Sequence, residues 1–393
     1  MLKQVFNKEQ LSKVISSTDV WGWDLLSKFN DVDSALDHTI KYWKINDLNL
    51  SPITTKVVNG KTVFTPSRVE DALAIKLLDR FVRRIYKIRQ SDRNRIVKQV
   101  VTLLKDSGDY HVLRLDIKNC YESISFKKII AKFQDDLILS PDSLKLLNNI
   151  NQQLENSFGF SGLPRGLSIS PTLAELYLEK LDRKTASNND VIYSARYVDD
   201  IILITTDRKK TALEDYLNKA LIEMGLELNQ NVTKKFSGSS HNASFDYLGY
   251  SLKVTQKVNS PNQVDVTISK SKIKKIKSRI LKSLYENKKN KDIALLKRRI
   301  EFLSLLKTVK KGKNGDLLAG IAHNYQYSTD SFECLKCLDG FLINQLNNPR
   351  FSLTPLEINK LKKISFYGNA KKSNTGKFTR KQTAKIMQIW KNA

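Results

Sequence analysis

A pair of aspartates joins two apolar segments in Val191-Ile-Tyr-Ser-Ala-Arg-Tyr-Val-Asp-Asp-Ile-Ile-Leu-Ile-Thr205. The pattern predicts strands at 191–198 and 201–205 that form a hairpin with Asp199 and Asp200 at its exposed tip. Two adjacent aspartates suit such a turn poorly, because two-residue hairpins favour Asn-Gly or Asp-Gly and because like charges repel. A bound cation would offset both effects, so the pair is a candidate metal site rather than an ordinary turn.

A third aspartate ends a predicted buried strand in Val112-Leu-Arg-Leu-Asp-Ile117. Helices are predicted near 126–139, from Ser170 onward and up to Gly225, and a last strand near 226–236. The resulting order of strand, helix, strand, strand, helix, strand is that of the ferredoxin-like split βαβ arrangement. In that sheet the first and third strands are neighbours, so Asp116 is expected to face Asp199. The three carboxylates would then form a ligand set for two Mg²⁺ ions.

Composition describes a basic, globular chain of 393 residues, with 40% hydrophobic and 9% aromatic residues and a net charge of +27. Residues 251–393 hold 31 of the 67 Lys and Arg residues but 9 of the 40 Asp and Glu residues, so this third carries +22. Such a charge favours a nucleic-acid partner, although a solvated face or an anionic membrane surface is an alternative. Basic amphipathic helices are predicted over 68–104 and through much of the C-terminal third.

The sequence also limits location and cofactors. No apolar run is long enough to span a membrane, and the start, MLKQVFNKEQ, lacks the apolar region of a signal peptide. Three cysteines are too few for a disulfide framework, so we expect a soluble, cytoplasmic protein. Cys334-Leu-Lys-Cys337 supplies only half of a zinc site, and no zinc is predicted.

Four ordered motifs resemble those of the reverse transcriptase family. Tyr197-Val-Asp-Asp200 is similar to its YxDD box, and Leu115-Asp-Ile-Lys-Asn-Cys-Tyr121 to its first palm motif. The nucleotide-binding segment resembles Gly162-Leu-Pro-Arg-Gly-Leu-Ser-Ile-Ser-Pro171, and the primer-grip turn resembles Phe245-Asp-Tyr-Leu-Gly-Tyr250. The resemblance covers about residues 68–252. It implies a right-hand polymerase of the α+β class, with helical fingers, a ferredoxin-like palm and a basic helical thumb.

The resemblance assigns roles to residues around the aspartates. Tyr121 would be the steric gate that excludes a 2′-hydroxyl, and Gly166 would let the backbone approach the nascent base pair. Lys234 would protonate the pyrophosphate leaving group, with Lys235 an equal candidate. The remaining assignments are Arg165, Arg95 and Ile117 in nucleotide binding, Ile117 also at the metal site, and Tyr247, Leu248 and Gly249 in the primer grip.

Two departures from the family pattern point to a subgroup. Arg165 stands where many reverse transcriptases have Gln, and Glu175 stands where they have Asn. The Leu-Ala-Glu-Leu-Tyr-Leu form around Glu175 resembles instead the abortive-infection and defence-associated reverse transcriptases of bacteria. This implies an RNA-directed DNA polymerase using two Mg²⁺ ions, or Mn²⁺, in antiphage defence. Its partners would be a dedicated noncoding RNA template, dNTPs and the DNA product, with a second polymerase subunit or second copy left open.

Boundaries and alternative functions follow from the same patterns. We expect an N-terminal and fingers region at 1–110, a palm with a fingers insertion at 111–252, and a thumb with a C-terminal extension at 253–393. A retron or mobile-intron polymerase is one alternative, and a catalytically idle RNA-binding scaffold is another. The segment from Lys371 is expected to contribute phosphate contacts. The competing hypothesis is that it docks on the body of the protein, or on a partner subunit, through Ile386, Met387, Ile389 and Trp390.

Overall fold

The computed structural model describes residues 3–58, 60–206, 210–257, 260–310 and 317–390. The chain divides into two compact units, the first made of Met1–Asp92 and Leu113–Ser237, the second of Arg93–Val112 and Gly238–Ala393. Each unit has its own cluster of buried apolar side chains. No helix in the described part of the chain is both long and apolar enough to cross a membrane.

The first unit begins with four helices, a hairpin and a long helix. These are α1 (Lys8–Ser12), α2 (Ser17–Gly22), α3 (Leu25–Lys28), α4 (Val32–Ile45), β1 (Thr54–Val58), β2 (Lys61–Thr65) and α5 (Val69–Ile85). Helix α6 (Arg93–Leu104) follows and belongs to the second unit. Helices α5 and α6 confirm the amphipathic pattern of 68–104, because their apolar residues are buried while most of their Lys and Arg residues are not.

A four-stranded sheet and its helices follow along the chain and lie mainly in the first unit. In chain order they are β3 (His111–Asp116), α7 (Cys120–Ser123), α8 (Phe126–Asp136), α9 (Pro141–Phe158), α10 (Ser170–Ala186), β4 (Val191–Tyr197), β5 (Asp200–Thr205), α11 (Lys210–Glu223) and β6 (Phe236–Ser239). The strand order is β4-β5-β3-β6. This is the order of a ferredoxin-like sheet, so that prediction is confirmed, including the placement of β3 beside β5.

Three details of this region differ from the sequence-based expectation. The hairpin pairs Tyr197 with Asp200, so its two central residues are Val198 and Asp199 rather than the two aspartates. The strand expected near 226–236 is wrong: that segment forms only an isolated antiparallel bridge between Leu228 and Ile117 and a 3₁₀ turn at Val232–Lys234 capped by Asn231, and β6 begins at Phe236. Helix α9 was not predicted, although Ser140 caps it, Pro141 starts it and Gly159 ends it in the left-handed conformation.

The second unit combines a small sheet with a helical layer. Its further elements are β7 (Ser244–Tyr247), β8 (Tyr250–Thr255), β9 (Gln263–Ile268), α12 (Lys270–Asn290), α13 (Ile293–Ser304), β10 (Lys307–Lys310), β11 (Leu317–Ala319), α14 (Ile321–Asn324), α15 (Lys336–Leu346), α16 (Pro355–Lys362), α17 (Phe366–Lys371) and α18 (Arg380–Met387). Short 3₁₀ helices lie at Ser240–Asn242, Glu333–Leu335, Pro349–Phe351 and Gln388–Trp390. Strands β7, β8 and β9 form one antiparallel sheet.

The C-terminal segment packs into the core of this second unit. Ile386 is fully buried and Trp390 is 5% exposed, whereas Met387 remains exposed. The Trp390 indole Nε1 donates a hydrogen bond to the carbonyl oxygen of Arg279 on α12 at 3.2 Å. Of the two expectations for this segment, the structure therefore supports docking on the protein.

Candidate active site

Three aspartates meet where β3 and β5 lie side by side. Asp116 ends β3, Asp199 lies in the hairpin turn and Asp200 begins β5. One carboxylate oxygen from each residue lies within 4.8 Å of the other two. Asp116 is 4% exposed and the other two are half-buried, so the turn is not the exposed tip expected from the sequence. The predicted convergence of the three side chains is present.

The cluster carries more negative charge than its surroundings favour. Burial raises the pKa of Asp199, and the charges of Asp116 and Asp200 raise it further. Burial also raises the pKa of Asp200, although the guanidinium of Arg114 opposes the shift. Converging, partly buried carboxylate oxygens are the donors that hard divalent cations prefer, so these residues fit a Mg²⁺ or Mn²⁺ site.

The turn that carries Asp199 is held in a strained conformation. Val198 has a φ of 59°, a left-handed value that a β-branched residue rarely adopts. The Val198 carbonyl oxygen accepts a hydrogen bond from Nη1 of Arg196 at 2.9 Å. Arg196 is buried and its Nη2 lies 2.7 Å from both Glu175 and Asp182. Glu175, a departure from the family pattern, thus supports the arginine that fixes the turn.

Both carboxylate oxygens of Asp116 have partners. Lys234 Nζ donates to Oδ1 at 2.9 Å, and Asn229 Nδ2 donates to Oδ2 at 2.8 Å. Lys235 instead pairs with Glu214, so the structure places Lys234 at the aspartates and Lys235 away from them. Burial alone would lower the pKa of Lys234, but the hydrogen bond to Asp116 and the surrounding carboxylates raise it above its ordinary value.

Arg114 is a site residue that sequence reasoning missed. Alternate residues of a strand share one face, so Arg114 lies on the same face of β3 as Asp116. Its Nη2 is 3.3 Å from Oδ1 of Asp200, and its Nη1 donates to the Thr233 carbonyl oxygen at 3.1 Å. The available signal was an arginine inside an otherwise apolar buried strand. Asn229, which orients Asp116, had no comparable signal.

Tyr121, the predicted steric gate, is braced by a neighbouring ion pair. The Arg165 guanidinium lies 4.7 Å from the centre of the Tyr121 ring, and Glu122 binds it in a bidentate manner at 2.7 and 3.0 Å. Burial raises the pKa of Tyr121 to about 12, so the ring is neutral. Arg165 stands where many reverse transcriptases have Gln. The carboxylate of Glu122, the residue after Tyr121, therefore holds the Arg165 guanidinium over the Tyr121 ring.

The β1–β2 hairpin, which was not predicted, places a lysine beside the ion pair of Arg165 and Glu122. Lys61 at the start of β2 donates a hydrogen bond to Asn119 Oδ1 at 3.0 Å and lies 3.6 Å from Glu122. Gly166 packs against the same hairpin, with a φ of 103°. A Cβ at Gly166 would lie 2.4 Å from the carbonyl oxygen of Phe64, so this close approach alone requires glycine.

The other predicted residues occupy two places. Ile117 is buried, and its backbone N–H donates to the carbonyl oxygen of Asp199 at 2.9 Å, which ties the end of β3 to the hairpin turn. Tyr247, Leu248 and Gly249 lie in the second unit, as does Arg95 on α6. Arg95 therefore belongs to a different unit from the three aspartates.

The predicted primer-grip turn is tightly constrained within the second unit. Leu248 and Gly249 join β7 to β8 with φ values of 47° and 85°. Arg93 donates to the Leu248 carbonyl oxygen through Nε at 2.9 Å and through Nη2 at 2.5 Å, and its guanidinium lies over the Tyr250 ring. Arg93, which has no assigned role in the family pattern, positions this turn.

Residues 63–252 match the protein family described as "Reverse transcriptase (RNA-dependent DNA polymerase)". This chain contains a reverse transcriptase domain. Such domains are those of RNA-directed DNA polymerases, which are nucleotidyltransferases. The match and the mixed architecture confirm the predicted α+β polymerase fold. No curated protein matches the chain.

A solved structure is also similar to part of the chain. It is described as apo telomerase from Candida tropicalis truncated from the C-terminal domain, with a TM-score of 0.39 and 14% sequence identity. The similarity covers 57% of this chain and 55% of that chain, so only about half of the telomerase chain is spanned. At this score the likeness supports no further statement.

Proposed function

We propose that the reverse transcriptase domain polymerises DNA on an RNA template at Asp116, Asp199 and Asp200. The observation that supports this most strongly is the convergence of one oxygen from each carboxylate to within 4.8 Å. When bound, two Mg²⁺ ions, or Mn²⁺ in their place, would activate the primer 3′-hydroxyl and neutralise charge on the triphosphate. The Ile117 backbone would complete the metal and nucleotide site.

The remaining residues of the first unit would orient the aspartates and the nucleotide. Asn229 and Arg114 fix the carboxylates of Asp116 and Asp200. The primer 3′-hydroxyl would release its proton to solvent water as its oxygen forms a bond to the α-phosphorus and the bond from that phosphorus to the β-phosphate oxygen breaks. Lys234 then donates its proton to the departing pyrophosphate, and its raised pKa keeps that proton available at neutral pH.

Substrate selection would depend on Tyr121 and the group that braces it. Arg165 and Glu122 hold the ring of Tyr121 in place, so the ring would exclude a ribonucleotide's 2′-hydroxyl by steric contact. Tyr247, Leu248 and Gly249 would contact the primer, and Arg95 would bind the triphosphate. The roles of Tyr247, Leu248, Gly249 and Arg95 rest on the family resemblance alone.

The biological role we infer is antiphage defence in the bacterial cytoplasm, with a dedicated noncoding RNA as template. The Leu-Ala-Glu-Leu-Tyr-Leu segment supports this subgroup. Its Glu175 also serves this chain's own hairpin by pairing with Arg196. We likewise propose a division of the chain into residues 1–110, 111–252 and 253–393. A second polymerase subunit, or a second copy of the chain, is a further proposed partner.

RNA-templated primer extension tests the polymerase activity. Asp135→Asn is the control, because Asp135 is an exposed aspartate near the C-terminal end of α8. The wild-type protein and Asp135→Asn should both incorporate dNTPs in Mg²⁺. Asp199→Asn should bind the same RNA but fail to extend the primer, and ribonuclease treatment of the template should abolish wild-type product. Extension by Asp199→Asn at the wild-type rate would contradict the proposal.

Phage plating and RNA sequencing test the defence role separately. Phage should form fewer plaques on cells that express the wild-type protein from its native locus than on cells that express Asp199→Asn. One noncoding RNA should copurify with both proteins. Equal plaque counts for wild type, Asp199→Asn and empty vector across a broad phage panel would overturn the defence role while leaving the polymerase activity intact.

A further inference from the structure

A cationic pocket lies within the second unit, where its Lys272 and Tyr325 border Gly249 of the predicted primer-grip turn. It has a volume of about 390 Å³ and is bounded by α12, the end of α13, β10 and α14. Four basic side chains line it: Lys272, Lys275, Arg279 and Lys307. None of the described residues that line it is acidic. The positive charge therefore faces one open pocket, with Lys272 and Lys275 exposed at its surface.

The sequence of α12 builds one wall of this pocket. Lys272, Lys275 and Arg279 are separated by three and four residues, so they share one face of the helix. Lys307, the first residue of β10, forms the opposite wall. Its Nζ donates to the carbonyl oxygen of Phe302 at 2.6 Å and lies 3.8 Å from the centre of the Phe302 ring. The Lys307 side chain is thus fixed rather than extended into solvent.

In the described part of the chain, no carboxylate pairs with Arg279 or Lys307 to offset the burial of these two cations. Arg279 Nε is buried without a hydrogen-bond partner in the described part of the chain, and its guanidinium lies 5.6 Å from the Trp390 ring centre. Burial lowers the pKa of Arg279, and burial together with the Arg279 charge lowers the pKa of Lys307 to about 8. Buried charges in proteins are normally paired, so this pocket fits an anionic ligand.

We propose that this pocket binds a terminal phosphate group, such as the 5′-phosphate or 5′-triphosphate end of a nucleic acid. An internal phosphodiester carries a single negative charge, which four cations would exceed. A terminal phosphate carries about two charges and a triphosphate more, which matches the pocket better. Arg279 can offer a fork of N–H donors to phosphate oxygens, while Tyr325 lines the pocket and can contact the attached nucleoside.

The proposal does not depend on polymerase activity, because it concerns binding at a separate group of residues. A free nucleoside triphosphate has the same terminal phosphate chemistry as a 5′ end. The test therefore compares RNA ends and free nucleotide on the intact protein. Lys275→Gln/Lys307→Gln removes two pocket cations while keeping Arg279 on Trp390. Lys274→Gln/Lys288→Gln removes the same charge from exposed positions of α12 outside the pocket.

Fluorescence anisotropy with one RNA sequence bearing a 5′-triphosphate, 5′-monophosphate or 5′-hydroxyl gives the measurement. The wild-type protein and the control double variant should bind the triphosphate RNA about tenfold more tightly than the hydroxyl RNA, and the pocket variant should lose this preference. If ATP alone binds and its affinity falls only in the pocket variant, the terminal phosphate is that of a free nucleotide and the proposal stands. An equal loss of affinity for all three RNAs, or no loss for any of these ligands, would overturn it.

Discussion

Arg114 donates a hydrogen bond of 3.3 Å to Asp200 from within the palm sheet, two residues before Asp116 on the same strand. The Arg114 side chain is 8% exposed, and that of Asp200 is 21% exposed. The second aspartate of the hairpin is therefore part of a buried ion pair as well as a candidate metal ligand. Replacing it would alter the stability of the palm in addition to its chemistry.

Asp200→Ala is expected to lower the free energy of unfolding by about 3 kcal/mol, because it leaves the charge of Arg114 buried without its carboxylate. Urea denaturation of Asp200→Ala, Arg114→Met and the double variant would measure this coupling. The double variant should be more stable than Asp200→Ala alone. Asp199→Asn, at a carboxyl whose pKa is already raised, should remain as stable as wild type. Equal losses for the Asp199 and Asp200 variants would show that the Arg114 pair contributes nothing.

Lys234→Ala should slow single-turnover dNTP incorporation by about 100-fold, since it removes the proposed proton donor and the cation beside Asp116. Lys235→Ala is the matched control, because that lysine pairs with Glu214 instead. Lys234→Arg keeps the charge but donates its proton poorly, so it should bind RNA as the wild type does without restoring the rate. A Lys235 variant as slow as the Lys234 variant would reverse this assignment.

Tyr121→Ala should reduce discrimination against ribonucleotides by about 10- to 100-fold, because steric exclusion depends on the ring. Tyr121→Phe should retain wild-type selectivity, since the hydroxyl group is not required for exclusion. Arg165→Met should have an intermediate effect, because the ring loses the guanidinium that braces it. Competition between dNTP and rNTP for one template position measures the ratio. Unchanged dNTP/rNTP selectivity in Tyr121→Ala would show that Tyr121 only packs in the core and does not exclude ribonucleotides.

Trp390→Ala should destabilise the protein by about 3 kcal/mol, because it removes a buried aromatic side chain and its hydrogen bond to the Arg279 carbonyl. Met387→Ala, on the exposed side of the same segment, should change the melting temperature little. A normal melting temperature for Trp390→Ala would contradict docking of this segment.

Replacing the exposed Lys372, Lys377 and Lys381 by Gln should make the salt dependence of RNA binding shallower without altering the melting temperature.

The candidate active site was accessible from sequence because its acidic residues are concentrated in short segments. Asp199 and Asp200 stand out between two apolar strands, and the strand order places Asp116 beside them. The position of the turn was predicted wrongly. Tyr197 pairs with Asp200, so the central residues of the turn are Val198 and Asp199, and Val198 is the residue with a left-handed φ. Periodicity fixes the strands but does not fix the register of a two-residue turn.

Residues that act through long-range contacts were not accessible in the same way. Arg114 with Asp200, Asn229 with Asp116 and Arg93 with Leu248 join positions separated by 86, 113 and 155 residues. No local pattern specifies such pairs. The β1–β2 hairpin was missed because Thr54–Val58 shows no alternation of polar and apolar residues, four of the five residues of β1 are exposed, and Phe64 is the one residue of β2 that is buried. Its Lys61 was missed with it.

Mn²⁺ binding measured by electron paramagnetic resonance tests the central claim most directly. The protein would be held with an RNA template, a dideoxy-terminated primer and the matching dNTP, so that no incorporation follows. The account predicts about two tightly bound Mn²⁺ ions per wild-type complex and their loss in Asp116→Asn/Asp199→Asn, with Asp135→Asn unchanged. The same number of tightly bound ions in the Asp116→Asn/Asp199→Asn variant would contradict the assignment of these aspartates as the metal centre.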